Sequence, residues 1–241
     1  MTTALVTGGS VGLGRSLTHS LLADGWTVVT DARDGRRLDR LAKEASRIEG
    51  GGRLVVVPGD VADAEHRAAL AAAVTGPLDL LVHNASTLGP VPLRPLRDTT
   101  PDDLRAAWET NVVAPVALTT LLLPRLREAA GVVVGVTSDA AVEHYETWGA
   151  YAATKTALEH AVLTIGAEES VLAYAVDPGD LRTDMHQAAF PGEDISDRPL
   201  PESVVPAFRR LLWHRPASGR HRLSDWAEPT YSYDSTERNT A

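Results

Sequence analysis

The sequence predicts an α/β fold: a doubly wound parallel sheet of about seven strands with helices on both faces. Three observations carry that expectation. Short apolar runs alternate with helical patterns along the chain, a glycine-rich turn joins the first run to the first helix, and residues 131–136 are continuously apolar, as a strand buried on both faces must be. The 241 residues suffice for one domain with a substantial core.

The first apolar run, residues 4–7, leads into Thr7-Gly8-Gly9-Ser10-Val11-Gly12-Leu13-Gly14, and Leu13, Leu17, Leu21 and Leu22 then recur near helical spacing. Glycines at such a turn let the backbone bend tightly and approach a ligand, while the helix N-terminus offers unpaired N–H groups to a pyrophosphate. Residues 26–30 read as the second strand. Its end carries Asp31, Ala32 and Arg33, where an acid holds a ribose 2′-hydroxyl and an arginine accommodates a 2′-phosphate. Asp31 alone would suggest NAD; Arg33 points to NADP, or else begins a polar surface helix.

Residues 54–57 form the third strand, followed by Gly59-Asp60-Val61. Asp60 either accepts from an adenine amino group or caps the helix from about Ala62. The fourth strand, residues 78–82, runs into His83-Asn84-Ala85-Ser86 and a proline-rich loop. Pro101 opens a long helix through Trp108 and Asn111, with a kink expected at Pro115. The central strand at 131–136 ends in Thr137-Ser138, and in doubly wound sheets that carboxyl end borders the ligand crevice. A helix over 148–168, a sixth strand over 171–176, a helix over 201–213 and a last strand over 220–223 complete the chain.

The helix at 148–168 carries Tyr151-Ala-Ala-Thr-Lys155, a phenol and an ammonium on one face. A nearby cation favours phenolate, which would turn a group of pKa about 10 into a usable acid–base catalyst. The chain has only two lysines, Lys43 and Lys155, in an arginine-rich composition. A lysine at this position is therefore not a routine surface charge, and arginine would not replace a compact ammonium beside a phenol.

Net charge is −9 and the arginines are scattered among acids, which argues against nucleic acid as a partner. Cysteine is absent, excluding disulfides and thiolate chemistry. The sequence shows neither a basic–apolar leader nor an apolar run approaching the ~18 residues of a span, so a soluble, cytoplasmic protein without a membrane partner is expected.

In order and spacing these motifs resemble the short-chain dehydrogenase/reductase family of the compact single-domain type, over nearly all of residues 1–225. Thr7 to Gly14 is similar to its Thr-Gly-x-x-x-Gly-x-Gly loop, Asn84-Ala85 to its Asn-Asn-Ala-Gly element, and Pro178-Gly179 with Thr183 to its Pro-Gly…Thr element. The resemblance implies a Rossmann-type fold and a catalytic set of Asn111, Ser138, Tyr151 and Lys155. Tyr151 would give a proton to a substrate carbonyl, Ser138 would polarise that oxygen, Lys155 would lower the tyrosine pKa and hold the nicotinamide ribose, and Asn111 would organise a water that replenishes the proton.

The implied cofactor contacts are Gly8, Ser10, Gly12, Leu13, Gly14, Arg33, Asp60, Val61, Asn84, Ala85, Tyr151, Lys155, Pro178, Gly179 and Thr183. In the family's register the position that selects the cofactor falls on Ala32, followed by Arg33. NADP(H) is therefore favoured over NAD(H), with a small-molecule carbonyl or alcohol as substrate and no metal. His83 and Ser86 depart from the family pattern. The alternative function is a dinucleotide-sensing binding protein without catalysis; such proteins tend to lack the tyrosine or the lysine, and both are present.

The family also implies a homodimer or homotetramer through two long helices, with Leu118, Leu121 and Leu122 on one and Leu158, Val162 and Ile165 on the other as apolar candidates, unless those residues pack entirely on the sheet. One catalytic domain is expected over 1–226, with a candidate lid at 180–201 in which Met185, His186 and Phe190 press on the substrate. Glu143, His144, Tyr145 and Trp148 are further pocket candidates. Residues 227–241 read as a polar tail with the composition of a disordered segment.

Overall fold

The computed structural model describes residues 2–228, so all but the first two residues of the tail expected at 227–241 lie outside the described residues. Seven parallel strands form one sheet: β1 (Thr3–Val6), β2 (Thr27–Ala32), β3 (Arg53–Pro58), β4 (Leu80–His83), β5 (Val132–Val136), β6 (Leu172–Asp177) and β7 (Gly219–Arg222). Their order is β3-β2-β1-β4-β5-β6-β7. The chain winds outward from β1 to β3 and then returns to lay β4 on the other side of β1. That reversal places the crevice outside the carboxyl ends of β1 and β4.

The helices are α1 (Gly12–Ala23), α2 (Gly35–Ala45), α3 (Ala64–Ala73), α4 (Pro101–Trp108), α5 (Ala114–Glu128), α6 (Gly149–Glu168), α7 (Asp184–Ala189) and α8 (Val205–His214). Successive strand residues point to opposite faces, and the core divides accordingly. Val6, Val82 and Val134 meet Leu17 of α1 and Phe208 and Leu211 of α8. Their neighbours Leu5, Leu81 and Val133 meet Leu70 of α3, Leu118 and Leu122 of α5, and Leu158 and Val162 of α6.

Three features refine the expectations. The distortion foreseen at Pro115 is a π-helical turn, Glu109–Val113, one turn earlier. Pro115 itself sits in the first turn of α5; lacking an N–H, it cannot partner the Asn111 carbonyl, and the helix widens just before it. Secondly, although no uninterrupted apolar run approaches the length of a span, the continuous helix Pro101–Glu128 is long and apolar enough to cross a membrane by length and mean composition. Its inner side packs Leu118, Leu122 and Leu126 into the core beneath the sheet.

Thirdly, four of the six residues offered for self-association serve the monomer. Leu118, Leu122, Leu158 and Val162 are buried against the sheet, while Leu121 is exposed. The outward apolar side chains of this helix pair are instead Leu104, Trp108, Val113, Val116 and Leu121.

Candidate active site

The glycine turn is held from three sides. The Asn84 side-chain amide donates to the carbonyls of Thr7 (2.9 Å) and Gly8 (3.1 Å), Thr30 Oγ1 accepts from the Gly9 N–H (3.1 Å), and Asp31 Oδ1 accepts from the Gly8 N–H (2.7 Å). Gly8 and Gly12 have positive φ angles of 67° and 53°. A Cβ on Gly14 would stand 2.4 Å from Asn84 Nδ2 and 2.5 Å from the Gly8 oxygen. Only glycine lets the loop curl this closely over the start of α1, leaving its N-terminal N–H groups facing the cleft.

Asp31 is 2% exposed and is turned inward. Its second oxygen lies 2.9 Å from His66 Nε2 of α3, so the carboxylate ties β2, α3 and the glycine turn together. Arg33 has a side chain 77% exposed and only a long contact, 4.0 Å, to Asp60. Arg37, in the first turn of α2, also lines the cleft and lies 3.4 Å from Asp184 of α7. The sequence reading did not single out Arg37; the run Arg33-Asp34-Gly35-Arg36-Arg37 directly after the second strand was the available signal. Asp60 caps the next turn by accepting from the Ala62 N–H at 3.0 Å while lining the cleft, and Arg67 donates to the Val61 carbonyl at 2.7 Å.

The cleft has a volume of about 950 Å³, and Gly8, Ser10, Gly12, Leu13, Arg33, Asp60, Val61, Asn84, Ala85, Ser138, Tyr151, Lys155, Pro178, Gly179 and Thr183 all line it. Gly14 and Asn111 stand behind this wall. Asn111 is 1% exposed. Its amide donates to Thr87 O (2.8 Å) and Thr154 Oγ1 (2.9 Å), and its oxygen accepts from the Thr87 N–H (2.9 Å) and Ser86 Oγ (3.2 Å). Every hydrogen-bonding position of the amide is therefore filled by protein.

Tyr151 lies beneath a small apolar cluster of Leu88, Ala140 and Ala189, with Trp148, Met185 and Phe190 packed against it. Burial pushes its pKa well above the ordinary tyrosine value; the Ser138 hydroxyl works the other way, and the Asp139 and Asp177 charges add to the rise. Lys155 does not reverse this. Its Nζ donates to the Val136 carbonyl at 2.7 Å and sits 5.5 Å from the Tyr151 ring centre. Burial lowers the lysine itself to about 7. The expected depression of the tyrosine pKa is thus overturned within the protein, because desolvation outweighs a cation aimed at another acceptor.

Ser138 donates to Asp139 Oδ1 at 2.8 Å, and Tyr145 donates to Asp139 Oδ2 at 2.8 Å. Behind them Arg220 of β7 gathers the sheet's carboxyl edge: it donates to the Ser138 carbonyl (3.1 Å) and to Asp177 Oδ2 (3.0 Å), and it pairs with Glu159 of α6. The other Asp177 oxygen accepts from the Gly179 N–H at 3.0 Å. Of the four pocket candidates between Asp139 and Trp148, Tyr145 and Trp148 line the cleft; Glu143 and His144 do not. Met185, His186 and Phe190 of the candidate lid line it too. His83, in place of the family's asparagine, is buried and lies 2.7 Å from Thr119 Oγ1; burial lowers its pKa to about 3, so it is neutral.

The family model for short chain dehydrogenases matches residues 2–194. An uncharacterized oxidoreductase of Saccharomyces cerevisiae, YIR035C, is 36% identical over 187 residues, covering 75% of this chain and 71% of the yeast protein. Sepiapterin reductase of Xenopus laevis is 30% identical over 230 residues, 89% of this chain and 83% of the frog protein. A short chain dehydrogenase of Escherichia coli solved in complex with NADPH superposes with a TM-score of 0.83 at 28% identity, covering 92% of this chain and 96% of that one.

Proposed function

Because the chain belongs to the short-chain dehydrogenase family, we propose that it is an NADP(H)-dependent oxidoreductase that interconverts a small carbonyl compound and the corresponding alcohol. The observation that carries this reading is the gathering of Ser138, Tyr151 and Lys155 on the floor of one cleft at the sheet's carboxyl edge. The glycine cradle fits a dinucleotide, since a side chain at Gly14 would collide with Asn84 and Gly8. When bound, the cofactor supplies or accepts hydride.

The chain's own residues supply the rest. Gly8, Ser10, Gly12 and Leu13 would present N–H groups to the pyrophosphate, Asp60 and Val61 would border the adenine, and Asn84, Ala85, Pro178, Gly179 and Thr183 would border the ribose and nicotinamide. Arg33, with Arg37 in the first turn of α2, favours a 2′-phosphate, in keeping with the NADPH complex of the E. coli relative. Asp31 also lines the cleft, but both of its oxygens are already engaged, by the Gly8 N–H and by His66.

Its raised pKa keeps Tyr151 a neutral phenol, ready to donate a proton to the carbonyl oxygen as the carbon becomes an alcohol. Ser138 donates a second hydrogen bond to that oxygen. Lys155 would hold the nicotinamide ribose, and the Asn111 carbonyl would hold the water through which the phenol regains its proton. The 180–201 segment acts in this reading as a lid over the substrate, and the exposed Trp108, Val116 and Leu121 supply a self-association surface. Following the nicotinamide absorbance with a panel of ketones and alcohols tests the reading; cofactor binding without turnover of any of them would leave a dinucleotide sensor instead.

A further inference from the structure

We propose that Asp139 is a substrate-recognition residue that selects ketones bearing a hydroxyl or protonated amine on the carbon next to the carbonyl. This rests on the carbonyl-reducing reading of the same site.

Ser138 has a single proton, and it is given to Asp139 Oδ1 at 2.8 Å. The same proton cannot also polarise a substrate carbonyl, so the hydroxyl must turn away from Asp139 when a ketone binds. Asp139 is an acceptor only: burial would raise its pKa, but hydrogen bonds from Ser138, Tyr145 and the Ala140 N–H, with the Arg220 charge, hold it below the ordinary value. A simple ketone takes the Ser138 proton and gives the carboxylate nothing in return. A ketone with an adjacent donor replaces it.

The spacing suits such a pair. Ser138 Oγ and Asp139 Oδ1 lie 2.8 Å apart, the separation of two hydrogen-bonded oxygens, so oxygens on neighbouring carbons can face the two groups side by side. The remaining walls fit a flat apolar substituent: Trp148 stands edge-on to Tyr151 at 5.7 Å and lies 5.9 Å from Phe190. Among the described residues Lys155 is the sole lysine or arginine lining this end of the cleft; Arg33 follows β2, and Arg37 lies in the first turn of α2, paired with Asp184. A 2-oxo acid would set its carboxylate directly against the Asp139 carboxylate, and the nearby Arg220 is already engaged by Asp177 and Glu159.

The test compares 2-hydroxyacetophenone, acetophenone and benzoylformate with NADPH. Wild type should favour the hydroxyketone over acetophenone by about 10-fold or more in kcat/KM, a charge-assisted hydrogen bond discounted for a half-buried acceptor, with benzoylformate poorest. Asp139→Ala should bring the first two together, because loss of scaffolding alone would lower both equally. Tyr145→Phe, which relieves Asp139 of another donor, should keep or enlarge the preference, and it serves if Asp139→Ala does not fold. Saturation-transfer NMR on the NADP⁺ complex should give the same binding order without turnover. Equal kcat/KM for hydroxyketone and acetophenone in wild type overturns this inference while leaving the reductase reading intact. No NADPH oxidation with any of the three overturns both.

Discussion

Lys155 donates to the Val136 carbonyl at 2.7 Å while its Nζ stands 5.5 Å from the centre of the Tyr151 ring. The ammonium is thereby buried against β5, and its pKa falls to about 7 through desolvation. An unfolded lysine titrates near 10.4. Between these values the unfolded chain binds more protons than the folded one, so this residue's contribution to stability increases as pH rises from about 7 towards about 10. The cofactor-free protein should therefore gain melting temperature over that window relative to Lys155→Met. Parallel pH profiles for the two proteins would show that the lysine is not desolvated.

Asp31 should matter as a brace. Removing its carboxylate leaves the part-buried Gly8 N–H and the buried His66 without their partner, and an unsatisfied buried group costs about 1–3 kcal/mol. Asp31→Ala is expected to lower unfolding free energy by that order and to weaken binding of NADPH and NADH alike. A variant that kept full stability but lost only NADH binding would restore Asp31 as a ribose ligand.

Arg33 should set cofactor choice. A charge-assisted hydrogen bond contributes roughly 1.5–3 kcal/mol, about 10- to 100-fold in affinity, so Arg33→Ala should reduce the NADPH-over-NADH preference by that factor. Arg37 already lies near Asp34 and Asp184, and Arg37→Ala should do less. Titration of both cofactors against the three proteins checks this, and an unchanged ratio in Arg33→Ala assigns that side chain to the solvent.

The sheet, its parallel strands and the gathering of Ser138, Tyr151 and Lys155 in one cleft were legible because each depends on residue identity at short range: apolar runs for strands, glycines for a tight turn, a tyrosine and lysine one helical turn apart. What was not legible depends on long-range pairing. Asp31 at the end of β2 reads equally as a ribose ligand or a brace until His66, 35 residues away, is seen beside it. Arg220 reads as a charged residue in an edge strand, and its hold on the Ser138 carbonyl spans 82 residues. Leu118 and Leu158 are apolar on any reading; that they face the sheet is a matter of helix rotation, which spacing alone does not fix.

The 180–201 segment should respond to cofactor. Thr183 caps α7 by accepting from the His186 N–H at 3.1 Å, and its methyl group lies 3.3 Å from where a Cβ on Gly12 would stand, so pyrophosphate binding at the glycine turn bears directly on α7. Limited proteolysis should cut between Asp184 and Arg198 without cofactor and be suppressed by NADPH. Equal cleavage with cofactor bound would make the segment a fixed wall.

The central claim is that Tyr151 delivers the proton to a carbonyl oxygen. The most direct measurement is single-turnover NADPH oxidation by wild type and Tyr151→Phe with a ketone that wild type reduces, alongside NADPH affinity by fluorescence titration. The account predicts that affinity is nearly unchanged and that the hydride-transfer rate falls by at least ~10²-fold, the lower range for loss of a positioned general acid. A Tyr151→Phe protein that reduces the ketone at the wild-type rate would contradict it.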